Sequence, residues 1–227
     1  MVAEPAVALE RVEKTFGDTL ALNGITTSIT EGSICGVIGP NGSGKTTTLR
    51  IILDIIHPDA GRVLVFGNEK PRLANDRISY LPEERGLYKK MKVRHQLGYL
   101  ARLKNIPERD IESRCRAWLE RLGLGHVWDQ KVETLSKGMA QKVQFISSIV
   151  NAPRLLILDE PFSGLDPVNT DTIREVILEL KEEGTTILFS THDMSVAEKL
   201  CDSILMIYRG EKVVDGTLDA IPERYGE

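Results

Sequence analysis

A glycine-rich loop between a short apolar segment and an amphipathic one constrains the fold of this chain more than any other sequence feature. Residues 39–46 read GPNGSGKT and fit the pattern G-x-x-x-x-G-K-[ST], a phosphate-binding loop. Apolar residues at 34–38 predict a buried strand before the loop, and residues 46–56 predict a helix after it. Because glycines permit positive φ and a helix N-terminus carries partial positive charge, this segment predicts a site for phosphate groups.

The residues of this loop have expected positions around the phosphates of a nucleotide. The Lys45 ammonium is expected to reach the β- and γ-phosphates, and the Thr46 hydroxyl is expected to ligate Mg²⁺. A chance glycine turn before a structural helix is the alternative, and the order of strand, loop and helix argues against it. The residues expected to bind the nucleotide here are Gly39, Pro40, Asn41, Gly42, Ser43, Gly44, Lys45, Thr46 and Thr47.

Length and composition exclude several classes of protein. The 227 residues are enough for a sizeable core, and the net charge of -4 argues against a nucleic-acid surface covering the whole protein. No apolar run approaches the ~20 residues that span a bilayer, and Glu4 and Glu10 interrupt the segment where a leader would be apolar. Three widely spaced cysteines, Cys35, Cys115 and Cys201, predict core residues in a reducing compartment. We therefore expect a cytoplasmic protein.

The order of predicted elements indicates an α/β fold with two additional parts. Alternating apolar and polar residues over 7–17 predict an antiparallel strand, and the segments 25–29 and 63–67 extend that sheet. Strands and helices alternate from residue 155 onward, which predicts a parallel sheet with crossover helices. The predicted layout is an α/β core with a small antiparallel sheet and one inserted helical region. The core and small sheet occupy about 1–87 and 153–227, and the helices, predicted at 93–104, 110–123 and 136–150, occupy about 88–152.

A second segment places two carboxylates at the end of an apolar strand. Residues 155–160 read LLILDE. Asp159 is positioned to hold the hydration shell of Mg²⁺ beside the phosphate loop, and Glu160 to polarise a water that attacks the γ-phosphate. The alternative is a buried strand that simply emerges into solvent, and the presence of a phosphate loop disfavours it.

A third segment, LSKGM at 135–139, lies 20 residues before LLILDE. By itself it predicts only a helix cap, in which Ser136 and Gly138 could also bind an anion. In this order and company, however, the chain resembles the ATP-binding-cassette (ABC) family, whose signature reads LSGGQ. The resemblance covers essentially the whole chain. It implies a P-loop NTPase core with an antiparallel β-subdomain and an inserted α-helical subdomain.

The resemblance assigns roles to three further residues. Phe16 in KTFG resembles the aromatic that stacks on adenine, and a core aromatic at a strand end is the alternative. Asp166 in SGLD resembles the residue that communicates across a dimer interface. His192 in STHDM resembles the histidine that contacts the γ-phosphate, although a lone histidine there is more often a satisfied core or cap residue.

Two positions depart from the family pattern. Glu83 stands where the family usually has glutamine, so an oxygen ligand for Mg²⁺ is kept but a charge is added. Lys137 and Met139 replace glycine and glutamine of the signature, and Lys137 either adds positive charge or faces solvent. The segments LPEERGLY, LSKGM and LLILDEPFSGLDPVN together resemble the NatA-like branch, which works with ABC-2-type export permeases.

The resemblance implies an ATPase that uses ATP and Mg²⁺ in a head-to-tail homodimer or heterodimer. Glu160, His192 and Lys45 are the expected catalytic residues, and Thr46, Asp159 and Glu83 the expected metal ligands. It also implies a separate integral-membrane permease that docks near Glu83–Tyr88 and the adjoining helical insert, which places the chain at the cytoplasmic face of the membrane. Glu84, Arg85 and Tyr88 are the expected contacts, and residues that are only solvated are the alternative. No direct nucleic-acid contact is expected, although a soluble ABC ATPase acting on DNA or ribosomes is the alternative. Relatives in this branch often extend beyond the position of Glu227, which leaves a further C-terminal region open.

Overall fold

The structure, a computed structural model, describes residues 5–68, 77–84 and 86–218. The strands in these ranges are β1 (Val7–Phe16), β2 (Thr19–Ile29), β3 (Ile34–Ile38), β4 (Ala60–Val65), β5 (Ile78–Leu81), β6 (Leu155–Asp159), β7 (Thr186–Thr191), β8 (Ser203–Tyr208) and β9 (Glu211–Thr217). The α-helices are α1 (Lys45–Ile52), α2 (Val93–Leu103), α3 (Glu108–Arg121), α4 (Lys137–Ile149), α5 (Pro167–Glu182) and α6 (Met194–Leu200).

The small antiparallel sheet has the strand order β2-β1-β4, which confirms the sequence prediction. Val7, Leu9 and Val12 of β1 are buried and lie against apolar residues of β2 and β4. One face of the sheet therefore packs on the core while the other meets solvent. The strand β2 begins at Thr19, so it is longer than the predicted segment at 25–29.

The main sheet has the order β5-β6-β7-β3-β8-β9, and its first five strands are parallel, as predicted. Every residue of β3, β6 and β7 is buried, because the sheet is covered on both faces. Alternate residues of β3 contribute to different hydrophobic clusters: Ile34 and Ile38 to one, and Cys35 and Val37 to the other. The antiparallel edge strand β9 was not predicted from the sequence.

The helices α2, α3 and α4 follow the predicted apolar periodicity. Ile111, Cys115 and Leu119 form the buried face of α3, and Trp118 is half-buried against the same cluster. The cluster also includes residues of the parallel sheet, so the division of the chain at about 88 and 152 stays a prediction. Across the described ranges, no helix combines the length and apolar character needed to cross a bilayer.

The helix after the glycine loop is shorter than its predicted range of 46–56. It ends at Ile52, Asp54 has a left-handed φ of 57°, and Ile55 is 58% exposed. A left-handed residue interrupts helical hydrogen bonding, so the helix stops there. Leu53 and Ile56 still pack, partly buried, against the hydrophobic cluster that contains Leu49 and Ile52, whereas Ile55 does not.

The three buried cysteines provide a test of the core. Burial raises the pKa of the Cys35 thiol to about 12 and that of Cys115 to about 11, and it also raises the pKa of Cys201. Because the thiolate is the reactive species, we expect the native protein to resist alkylation at about pH 8, where an unfolded thiol with a pKa of about 8.5 reacts. Mass spectrometry should detect three labels only after denaturation. Rapid labelling of the folded protein would contradict this packing.

Candidate functional site

Three strand ends of the main sheet bring distant parts of the sequence together. The glycine loop follows β3, Asp159 ends β6, and His192 follows β7. The register aligns Ile38 with Thr191 and Asp159 with Ser190. Because the carboxyl ends of parallel strands meet at one edge, the loop, both carboxylates and the histidine lie side by side.

Two glycines allow the loop to pack closely against the strands β2 and β8. A Cβ on Gly39 would lie 2.1 Å from the carbonyl oxygen of Ile207. At Gly44, φ is 113°, and a Cβ would lie 2.8 Å from the carbonyl oxygen of Ala21. Neither position has room for a side chain, and the loop leads directly into the N-terminus of α1 at Lys45.

The Lys45 side chain is buried within the site. Its ammonium nitrogen donates to the carbonyl oxygens of Gly39 at 2.8 Å and Pro40 at 3.3 Å. It also lies 3.6 Å from Oε1 of Glu160. The positive charge is thus held between the glycine loop and the carboxylate at the end of β6, where an anionic phosphate would gain most from it.

The Asp159 carboxylate is buried and has three hydroxyl partners. Thr46 Oγ1 lies 3.1 Å and Ser190 Oγ 2.6 Å from Oδ1, and the Tyr80 hydroxyl lies 3.4 Å from Oδ2. Burial, and then the charge of Asp159, raises the pKa of Tyr80, so its hydroxyl stays protonated as a donor. Tyr80 and Ser190 are neighbours of Asp159 that the sequence interpretation missed.

The oxygen atoms around Thr46 and Asp159 fit the chemistry of Mg²⁺. Mg²⁺ prefers carboxylate, hydroxyl and phosphate oxygens, and it usually takes only one or two carboxylates from the protein. The part of the chain that the structure describes has no group of three or more acidic, histidine or cysteine side chains able to enclose a metal.

The Glu160 side chain is held between Lys45 and His192. Nδ1 of His192 lies 3.2 Å from both carboxylate oxygens of Glu160, and the histidine side chain is 60% exposed. The backbone of Glu160 has a left-handed φ of 49°, and its amide donates to Ser190 Oγ at 2.9 Å. The carboxylate is consequently buried at the base of the site, and the imidazole covers it from the solvent side.

A cavity of about 600 Å³ opens over these residues. Its walls include the predicted Glu83 and Glu160 as well as four residues that were not predicted. The lining consists of Thr19, Leu20, Ala21, Asn41, Gly42, Gly44, Lys45, Thr46, Thr47, Glu83, Glu160 and Arg209. Arg209 and Gly210 follow an apolar segment, a pattern that predicts a turn after a strand. The pattern does not indicate that the Arg209 side chain lines the cavity.

Phe16 lies at the rim rather than in the wall of the cavity. Its side chain is 47% exposed at the end of β1, and its register partner on β2, Thr19, does line the cavity. The Lys14 ammonium lies 5.4 Å from the centroid of the Phe16 ring. Phe16 is therefore an exposed aromatic rather than a core one, and its role in stacking on adenine stays a prediction.

Ser136, Gly138 and Asp166 form a second group that does not belong to the described lining of the cavity. Ser136 caps α4 by accepting from the amide of Met139 at 3.2 Å. Asp166 caps α5 by accepting from the backbone amide of Asn169 at 2.9 Å. This hydrogen bond and a second one from the Asn169 side chain lower the pKa of Asp166. The Asn169 side chain lies between the two caps: its Nδ2 donates to Asp166 Oδ2, and a Cβ on Gly138 would lie 2.7 Å from the same nitrogen.

The Lys137 side chain lies across the second cap region. Its Nζ would be 2.0 Å from a Cβ on Gly164, which has a left-handed φ of 68°. Lys137 thus occupies the space that a side chain at Gly164 would need. The residue is exposed and lies over the loop that leads to α5, and both interpretations, added positive charge or a solvent-facing side chain, stay predictions.

Comparisons of the sequence and of the structure with known proteins both find ATP-binding proteins of ABC transporters. Residues 22–163 match the protein family described as ABC transporter. The ABC transporter ATP-binding protein YhaQ of Bacillus subtilis is 46% identical over 97% of this chain and 74% of its own length. NatA of the same organism, also an ABC transporter ATP-binding protein, is 36% identical over 89% of this chain and 84% of its own.

Two further similarities extend this result. The Nod factor export ATP-binding protein I of Burkholderia lata is 36% identical over 96% of this chain and 72% of its own length. A solved structure described as the ATP binding subunit of an ABC transporter superposes with a TM-score of 0.89 at 30% identity. That superposition covers 97% of this chain and 93% of the other.

The close packing at Gly44 leads to a testable difference between two glycines. Gly44→Ala places a Cβ against the carbonyl oxygen of Ala21, so we expect the loop to shift and the affinity for ATP to fall by more than about tenfold. Gly123→Ala is the matched control, because its φ is 71° but nothing lies within 4 Å of the added Cβ. It should cost about 1 kcal/mol of stability and leave affinity unchanged. Calorimetric titration with ATP measures the affinity of each variant. Equal affinities of Gly44→Ala and Gly123→Ala would contradict the packing argument.

Proposed function

The chain belongs to the ABC transporter family and is an ATP-binding, ATP-hydrolysing subunit, and we propose that it powers export through a separate membrane permease. The observation that carries this proposal is the convergence of Lys45, Asp159, Glu160 and His192 at one edge of the main sheet. Lys45 and Glu160 line a cavity of about 600 Å³, a size that suits a nucleotide, and Asp159 and His192 contact Thr46 and Glu160 of the same lining.

In this proposal the glycine loop and Lys45 bind the phosphates of ATP. The backbone N–H groups at the end of the glycine loop and at the start of α1 would face the phosphates, and the Lys45 ammonium would exchange its carbonyl partners for phosphate oxygens. Thr46, Asp159 and Glu83 are the proposed holders of Mg²⁺, which when bound would neutralise charge on the phosphates. Phe16 would stack on the adenine at the cavity rim.

Hydrolysis would proceed by in-line attack of water on the γ-phosphorus. A new bond forms between the water oxygen and phosphorus while the bond to the β–γ bridging oxygen breaks, which yields ADP and inorganic phosphate. The Glu160 carboxylate orients the water and accepts its proton. His192 contacts both Glu160 oxygens through Nδ1 at 3.2 Å, and in this proposal its other ring nitrogen would donate to an oxygen of the γ-phosphate.

A second nucleotide-binding subunit is required to complete this site. Ser136, Gly138 and Asp166 are exposed or half-buried caps that lie apart from the cavity lining of their own chain. In a head-to-tail dimer, Ser136 and Gly138 of one subunit would contact the γ-phosphate held by the other, and Asp166 would lie at the interface. ATP closes such a dimer and hydrolysis opens it, because the two states differ in charge at the interface. Both a homodimer and a heterodimer satisfy this arrangement.

The proposed membrane partner is an ABC-2-type permease that carries the chain at the cytoplasmic face of the membrane. The similarity to NatA and to a protein named for Nod factor export supports this branch. Glu84 and Tyr88 are exposed and lie close in sequence to the cavity residue Glu83. The rings of Tyr88 and Tyr99 pack edge to face, with 6.2 Å between their centroids. The other expected contact, Arg85, lies outside the described residues.

Replacement of Glu160 tests the proposed catalytic role. Glu160→Gln removes the proton acceptor and keeps the side-chain volume, so kcat should fall by about 10²- to 10⁴-fold while ATP still binds. The dimer should then accumulate with ATP, as measured by light scattering. Glu183→Gln at the exposed end of α5 is the control and should leave turnover unchanged. Turnover of Glu160→Gln at the wild-type rate would overturn the proposal.

Stimulation of turnover identifies the type of partner. We expect ATPase activity to rise severalfold when the purified chain is mixed with a detergent-solubilised ABC-2-type permease encoded beside it, because docking would favour the closed dimer. DNA and ribosomes should leave the rate unchanged. Activation by DNA or ribosomes, with no response to the permease, would instead establish a soluble ABC ATPase.

A further inference from the structure

Ser190 at the end of β7 contacts both acidic residues of the site through one hydroxyl group. Its Oγ lies 2.6 Å from Oδ1 of Asp159, to which it donates, and it accepts from the amide of Glu160 at 2.9 Å. The side chain is fully buried, at 0% exposure. Because water does not reach this position, both hydrogen bonds act in a low dielectric, where they are stronger than at the surface.

The bond to the amide holds Glu160 in an unusual backbone conformation. A φ of 49° is costly for a residue with a Cβ, and such a conformation persists only where neighbouring groups impose it. Rotation towards an ordinary φ would turn the Glu160 amide away from Ser190 Oγ. It would also displace the Cβ, and therefore the carboxylate that lies 3.6 Å from Lys45 and 3.2 Å from His192.

The bond to Asp159 acts on the second carboxylate. Of its three hydroxyl contacts, the one from Ser190 is the shortest, at 2.6 Å against 3.1 Å for Thr46 and 3.4 Å for Tyr80. Ser190 and Thr46 share Oδ1, so together they set the orientation of the carboxylate plane beside the glycine loop. Among the described residues, loss of the Ser190 hydroxyl would leave the Thr46 hydroxyl as the hydrogen-bond partner of Oδ1.

We propose that Ser190 is a positioning residue for hydrolysis: its single hydroxyl fixes both the Asp159 carboxylate and the backbone of Glu160. The inference rests on the proposed function, because it assigns the groups that Ser190 orients to the hydrolysis of ATP. It goes beyond that function because it assigns the orientation of two carboxylates of the site to Ser190, a fully buried residue of β7 outside the described cavity lining. A purely structural hydroxyl would affect folding and leave turnover alone.

The variant Ser190→Ala separates these roles. We expect kcat to fall by roughly a hundredfold, since a displacement of about 1 Å at a reacting group has that effect, while KM for ATP changes by less than about threefold. The Mg²⁺ concentration for half-maximal activity should rise, because Asp159 is no longer oriented. Steady-state kinetics at varied ATP and Mg²⁺ give all three values. A kcat within about threefold of wild type, with unchanged Mg²⁺ dependence, would overturn the inference.

Ser148→Ala is the matched control for loss of a buried hydroxyl. Ser148 is 3% exposed and donates to the carbonyl oxygen of Phe145 within α4, at 2.7 Å. The Ser148→Ala variant should unfold at a lower temperature than the wild type, with an unchanged kcat. Ser190→Cys provides a second variant if Ser190→Ala does not fold, because the thiol fills the space but is a weaker donor and acceptor. Folded Ser190→Cys with wild-type kcat would also overturn the inference.

The behaviour of Glu160→Gln distinguishes failure of this inference from failure of the proposed function. If Glu160→Gln loses turnover but binds ATP, and Ser190→Ala turns over normally, only the role of Ser190 is wrong. If Glu160→Gln hydrolyses ATP at the wild-type rate, the proposed catalytic role of Glu160 is wrong, and the role of Ser190 is wrong with it.

Discussion

The parallel hydrogen bonding of β3, β6 and β7 is the interaction on which the rest of the structure depends. It aligns Ile38 with Thr191 and Asp159 with Ser190, so β3 ends at the same edge as two strands that lie more than a hundred positions further along the chain. All residues of these strands are buried, and the layers on both faces hold the register, because a slip by one residue would exchange their two hydrophobic faces. The site is thus a consequence of strand register.

The same alignment concentrates charged groups that would be costly to bury singly. Lys45 is 6% exposed, Asp159 1% and Glu160 9%, and each has partners that compensate for the loss of water. Lys45 bonds to loop carbonyls and lies near Glu160, while Asp159 receives hydrogen bonds from hydroxyls. Charges and dipoles that are in place before substrate arrives are the main physical source of electrostatic catalysis, although here the Lys45 ammonium would change its partners when phosphate binds.

Local pattern was sufficient for some elements and misleading for others. The glycine loop, the apolar strand ending at Asp159 and the buried face of α3 follow from spacing and periodicity, and the structure confirms these elements. The helix after the loop ends at Ile52 instead of continuing to 56, because apolar periodicity carries no information about the left-handed residue Asp54. The edge strand β9 and the cavity residue Arg209 were missed, since both are defined by their pairing and position beside β8.

The sequence by itself determined the chemistry: a phosphate loop, two carboxylates at a strand end, a histidine after another strand, and the order that identifies an ABC ATPase. Those features depend on residue type and local spacing, which a linear pattern contains. Only the tertiary structure decided that Ser190 and Tyr80 contact Asp159, that Glu160 has a left-handed backbone, and that Ser136 and Asp166 lie away from their own cavity. These relations depend on register between strands distant in sequence, and no local pattern encodes a distance across the sheet.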